Sequence, residues 1–351
     1  MVAHSPAVDE FPVGGARVTP VYWWGGLGIA FLVLQIYVFG SWIRSDAFAP
    51  VDPGPDPLPS FQRHAITFFQ TFNLLMMTGV LVWGVRAWRR EGRATTAFLF
   101  CLAWIFTFWQ DPLADYARLT FNYNAHLFNR GSWAEFIPGW VMPGGRYIPE
   151  PLLFNIGAYI GIIMVVAFGG TWVMRKAKQI WPRISTMGLL LVLFAFMILQ
   201  DLVIEGAWVR LGLYQFTSTV HSWTLWAGKP YQFPIYNSIF WGVAPGVGAA
   251  LYYFRDDKGH ALIERGSEKI KNPFANAFMR TMAAAAVFNL AYLFYNASMT
   301  LVSLQVDPMP SYPSYIRSGI CGQGTQYECP GPDVHVPLPG SGPLPPFTGR
   351  N

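Results

Sequence analysis

The chain carries about seven apolar stretches from which charge is almost absent, each near the twenty residues or so that a helix needs to cross a bilayer. Inside lipid the backbone must satisfy its own hydrogen bonds, so such stretches fold as helices. Only 12% of the 351 residues are charged, where soluble domains average about 25%. The fold class that follows is all-α: a polytopic helical membrane protein. The spans are expected at 21–42, 65–88, 95–111, 152–174, 184–201, 235–254 and 274–304. Residues 1–20 read as a flexible start, 21–304 as the membrane domain and 305–351 as a tail dense in Pro and Gly.

The net charge of +5 comes from Lys and Arg clustered in the loops 86–93, 175–183 and 255–271. These lie two spans apart, hence on one side of the membrane, and the positive-inside rule makes that side cytoplasmic. The charge therefore speaks of topology; no nucleic-acid partner is expected. Seven spans place the N-terminus inside and the C-terminus outside, in a bacterial plasma membrane. No cleavable signal peptide is evident, because the first apolar run is too long for a signal core. The connector 255–271 has the charge mix of a short surface helix. Gly25-Gly26-Leu27-Gly28 lies within a span and reads as close helix packing. Cys101 reads as a small core residue. Cys321 and Cys329, on the outer and oxidising side, are placed for a disulfide.

Two long outer loops, 112–150 and 203–233, are too aromatic for linkers and are expected to fold as short helices and turns on the membrane surface. Each follows the same grammar. Gln110-Asp111 ends one apolar run and Gln200-Asp201 another; Pro149-Glu150-Pro151 and Phe233-Pro234 open the next ones, so an internal repeat is possible. An acid deep in an apolar run is costly and marks a functional site by default. Asp111 and Asp115 are four apart, as are Asp201 and Glu205, so each pair shares a face if the helix continues. Pro112 interrupts the first pair and needs another partner for the carbonyl it frees. These four acids are the candidate catalytic groups, with a structural role, capping or pairing with Arg118 or Arg210, as the alternative for each.

Gln70, Asn73, Gln110, Asn122, Asn155, Gln200, Asn237 and Asn296, with Trp109 and Trp133, are the candidate substrate contacts, since they fall near the same depth. Such convergence also suits packing, because buried polar groups need partners. Trp109, Trp133, Trp140, Trp208, Trp223 and Trp226 read first as an interfacial belt and second as cavity walls. His126 and His221 read as surface histidines before proton shuttles. Among motifs, HxxxH, CxxC, GxSxG and Gly-rich phosphate loops are missing, so neither metal nor cofactor is expected.

The run Phe108-Trp109-Gln110-Asp111-Pro112, continued by LADYARLTFNYNAHLFNRGSWAEFIPGW and PEPLLFN, resembles the AveC family of membrane spirocyclases over about residues 20–305. The resemblance implies a membrane protein of secondary metabolism that cyclises or dehydrates a hydrophobic, oxygenated substrate, polyketide- or lipid-like, by acid/base chemistry. It carries over no catalytic residue. One acid would protonate a carbonyl or hydroxyl oxygen while another takes a proton, with the loop 121–140 as a lid. Its partners would then be that substrate and membrane lipids, with the oligomeric state open. Two other classes remain: a lipid or small-molecule transporter, and a non-catalytic partner in a cell-envelope complex.

Overall fold

A computed structural model describes residues 19–322, 325, 327–332 and 334; the readings for residues 1–18 and for the end of the tail lie outside them. Among the described residues, six helices are long and apolar enough to cross a membrane: α1 Pro20–Ile43, α2 Ser60–Glu91, α3 Thr96–Asp115, α4 Leu152–Ile180, α5 Thr186–Arg210 and, last of them, Pro273–Ser303. The stretch expected as a sixth span is helical but broken at Gly242, into α6 Ile235–Trp241 and α7 Val243–Tyr253. The helix Pro273–Ser303 is therefore α8. α7 packs along α4, where the Thr171 hydroxyl donates to the Ala249 carbonyl at 3.1 Å.

Local sequence explains where these helices start and stop. The side chains of Thr95, Ser185 and Asn272 accept backbone N–H groups in the first turns of α3, α5 and α8. Gly92 ends α2 in the left-handed conformation, with φ 68°. At the end of α5, Gly212 N–H bonds back to Val209 and Leu213 N–H to Trp208, a Schellman turn that sends the chain into the second long loop. α1 lies on α8 because Gly25 and Gly28 leave room: a Cβ at Gly28 would overlap the Met282 backbone.

At the end of the bundle that carries the basic loops, Arg280 of α8 donates to Glu264 at 2.9 Å, to the Ala94 carbonyl at 3.0 Å and to the Thr96 hydroxyl at 2.9 Å. Both charges are buried. The connector 255–271 is therefore not the surface helix expected from its charges. It forms two short 3-10 turns, Leu262–Glu264 and Ser267–Lys269, and delivers Glu264 to a buried partner. Removing either member would strand a charge, at a cost of about 3–5 kcal/mol.

At the opposite end the two long loops meet. β1 Asn122–Tyr123 pairs antiparallel with β2 Tyr214–Gln215, and β3 Thr224–Leu225 pairs with β4 Phe233–Pro234. The first part of the tail packs on this layer: Tyr312, Tyr315 and Ile316 are buried against Val51 and Ala125. Cys321 and Cys329 are joined as a disulfide, and Cys101 is a free, buried thiol. Trp109 and Trp133, expected first at the interface, are instead buried in the protein core, while Trp223 and Trp226 are exposed. Their indole N–H groups explain the difference, as both bond to groups inside the bundle.

Candidate active site

The site begins with a change of helix type. α3 is α-helical to Trp104 and then continues as a 3-10 helix over Ile105–Asp115. Pro112 lies in that segment and offers no N–H to the Trp109 carbonyl three residues back. The Trp133 indole takes its place, donating to Trp109 O at 2.8 Å. Asn289 of α8 donates to the Phe106 carbonyl at 3.1 Å. The tighter coil thus holds Asp111 at the edge of a cavity while its loose carbonyls are satisfied by side chains from elsewhere.

That cavity has a volume of about 110 Å³ and is lined from α3, α4, α5, α6, α7, α8 and the two long loops. Three of its lining groups are carboxyls: Asp111, Asp201 and Glu205. Four donors converge on Asp111. The Tyr159 and Tyr292 hydroxyls donate to Oδ1, and the Tyr123 hydroxyl and the Asn155 amide donate to Oδ2, each at 2.8 Å. Four is the number of acceptor positions that an ionised carboxylate has. Tyr159 reaches this point from a turn of α4, Ala158–Ile162, that is widened into a π-helix; such widened turns recur at functional sites.

Glu150 lies against Asp111 from the loop side and is fully buried. Neither of its carboxyl oxygens meets a hydrogen-bond donor among the described residues. Burial, followed by the charge of Asp111, pushes the Glu150 carboxyl well above its ordinary range. It lies beside an Asp111 carboxyl whose acceptor positions are filled by other donors.

Across the cavity, Asp201 and Glu205 stand one turn apart on α5. The Asn237 amide donates to both, at 3.4 and 2.9 Å, and its own oxygen accepts the Tyr295 hydroxyl at 2.8 Å. Asn155 and Asn237 each lie in the first turn after a proline, Pro151 and Pro234. The walls between the acids are aromatic: Phe121, Phe154, Trp208, Phe216, Trp241 and the tyrosines.

Asn155, Gln200 and, through its two carboxyl bonds, Asn237 belong to this site. Asp115 does not line the cavity; its Oδ1 accepts the Thr120 and Phe121 N–H groups at 2.7 and 3.0 Å and so shapes the turn into β1. Trp109, Gln110, Asn289 and Asn296 form a separate buried network that ties α3 to α8. Asn73 donates to Phe154 O, Gln70 accepts from Phe128 N–H, and Asn122 donates to Ile316 O. His126 and His221 do not line the cavity. Tyr123, Tyr159 and Glu150 were not among the expected site residues. Tyr159 follows Asn155 by one helical turn, the spacing that places both on one face.

Fold and site together define a polytopic helical membrane protein with a carboxyl-lined cavity near one end of its spans. The family described as "Spirocyclase AveC-like" matches residues 88–314, and the chain belongs to that family. The matched region contains all the acids of the site. No curated protein and no solved structure matches the chain.

Proposed function

We propose that the protein is an integral membrane enzyme of the spirocyclase type that closes or dehydrates a hydrophobic, oxygenated, polyketide- or lipid-like molecule by proton transfer alone. The observation that carries this reading is the placement of Asp111 opposite the Asp201–Glu205 pair around one aromatic cavity. One member of the Asp201–Glu205 pair carries a proton and gives it to a ketone oxygen. A hydroxyl oxygen attacks the carbonyl carbon, and its proton passes to Asp111. The resulting hemiketal hydroxyl is protonated and leaves as water; a second hydroxyl closes the second ring and returns its proton. One ketone and two hydroxyls give one spiroketal and one water, with no change of oxidation state. A dehydration uses the same groups, with Asp111 taking a proton from carbon as the protonated hydroxyl departs. Aromatic faces around the acids favour the cation-like intermediate, and Glu150 holds a proton beside Asp111. The basic loops at the other end support an orientation with the site toward the outside of a bacterial plasma membrane.

The test compares lipid-soluble metabolites from cells carrying the wild type, the Asp111→Asn/Asp201→Asn double variant, or no copy. The double variant is expected to accumulate a precursor one water heavier than the wild-type product. A stably made double variant whose metabolites match wild type, while the deletion differs, would remove these acids from the chemistry.

A further inference from the structure

We infer that the substrate enters the cavity sideways from the lipid, through a window between α4 and α5, and that only its reacting part is enclosed. The inference rests on the cavity proposed above as the active site and adds how that site is reached.

The window follows from how the two helices diverge. Toward the basic end they pack closely: Gly169 faces Phe196, and Gly170 faces Leu193 and Met197. Toward the site end they lean on different neighbours. α4 rests on α2, where Gly157 and Gly161 admit Asn73 and Met76, while α5 rests on α6. Trp208 bridges the gap at the top, with its ring 5.3 Å from Phe154 and 6.0 Å from Phe69. Between that lintel and the glycine seam, the cavity is lined by Ala158, Ile162, Val166, Gln200 and Ile204, all half-exposed. Val165, Leu199 and Val203 flank these positions and are 54, 63 and 72% exposed, an apolar surface that belongs against lipid.

The side toward water is roofed. β1 and β2 join the two long loops over the cavity, and Tyr123, Tyr214 and Phe216 are all buried. Phe121 fills the space between them, with ring centroids 4.7 to 5.3 Å away. Size adds a second argument. A space of about 110 Å³ is well below the 300 Å³ or more of a pocket that swallows a drug-sized ligand. The substrate is therefore an amphiphile that partitions into the bilayer. Its oxygenated end enters between the acids, and its apolar remainder stays in the window among lipid chains.

The test needs no turnover. In a Cys101→Ala background reconstituted into phosphatidylcholine vesicles, Ala114→Cys places a thiol on the cavity wall. Its labelling is followed with N-dodecylmaleimide, which partitions into lipid, and with a sulfonated maleimide confined to water. The dodecyl reagent is expected to react faster. Ile204→Trp is expected to slow it by at least about tenfold, equal to about 1.4 kcal/mol of added barrier, whereas Leu199→Trp leaves it unchanged. Ile163→Cys serves as a second reporter should Ala114→Cys fail to fold. Faster labelling by the sulfonated reagent, no effect of Ile204→Trp, or no labelling of folded protein by either reagent would each overturn the window. An Asp111→Asn variant that is inactive yet labels normally would separate the window from the chemistry, since either can fail alone.

Discussion

The two halves of the site start from the same sequence grammar and reach different geometries. Asp111 and Asp115, like Asp201 and Glu205, are four residues apart. On α5 the helix is regular, and four residues amount to one turn plus about 40°, so both carboxyls face the cavity. The end of α3 is a 3-10 helix, in which four residues overshoot a full turn by about 120°. Asp115 is carried away from the cavity into the turn at Thr120. One half therefore presents a pair of acids sharing a single asparagine amide; the other presents a lone carboxylate with four donors and a buried acid behind it.

The largest effects should come from this asymmetry. Asp111→Asn removes the only cavity carboxyl on its wall, and cyclisation in vesicles is expected to fall by about 10²–10⁴, the usual contribution of a positioned acid or base. Asp201→Asn should cost much less, because Glu205 shares the Asn237 amide and takes over the proton. Only the Asp201→Asn/Glu205→Gln double variant is expected to match Asp111→Asn. Equal losses in Asp111→Asn and Asp201→Asn would break the division of the site into a pair and a lone carboxylate.

Stability should also separate the halves. Trp133→Phe leaves the Trp109 carbonyl without its indole donor, and a buried acceptor without a partner costs about 1–3 kcal/mol. Denaturant unfolding in detergent measures this loss. The regular α5 has no such dependence, so a wild-type midpoint for Trp133→Phe would show that the 3-10 segment holds without its support.

Glu150 gives the first half a pH dependence. Its carboxyl titrates well above the ordinary value of 4.5 in the fold, chiefly through burial. The folded state then binds the proton more tightly than the unfolded chain. Its contribution is fully present below pH 4.5 and is lost as pH rises through the folded value. The slope is at most about 1.4 kcal/mol per pH unit for one proton. Glu150→Gln is expected to flatten the fall in unfolding midpoint above pH 4.5; a variant that keeps the wild-type slope would mean Glu150 is already ionised in the fold.

Much of the membrane architecture was legible because uncharged length is a direct physical signal: a stretch free of charge and about 20 residues long has few alternatives in lipid. That α1 packs closely against another helix was legible in Gly25 and Gly28, since only missing side chains allow it; that the partner is α8 came from the fold. The burial of Glu264 was not. Its charge fits a surface helix equally well, and only the fold brings Arg280 to it across sixteen residues. The site was legible where regular periodicity held, as on α5. It was lost where periodicity changed, at the 3-10 end of α3 and at the π turn carrying Tyr159. Pro112 marked the first change in advance, because a proline there forbids the regular α-helical bond that the four-residue spacing assumes. Glu150, between two prolines, sat outside every helical pattern, so nothing in its spacing pointed to Asp111.

The smallest expected effect is the most direct test of the comparison. Asp115→Asn keeps an oxygen that can accept the Thr120 and Phe121 N–H groups. An amide oxygen holds those bonds less tightly than a carboxyl oxygen, so the cost should be about 1 kcal/mol of stability. Cyclisation should stay at the wild-type rate, because Asp115 faces the turn and not the cavity. Glu205→Gln, at the corresponding position of the other half, should lower the rate measurably even with Asp201 intact. If Asp115→Asn slowed the reaction as much as Glu205→Gln, the two four-residue pairs would be equivalent after all. The 3-10 twist would then not separate the two halves of the site.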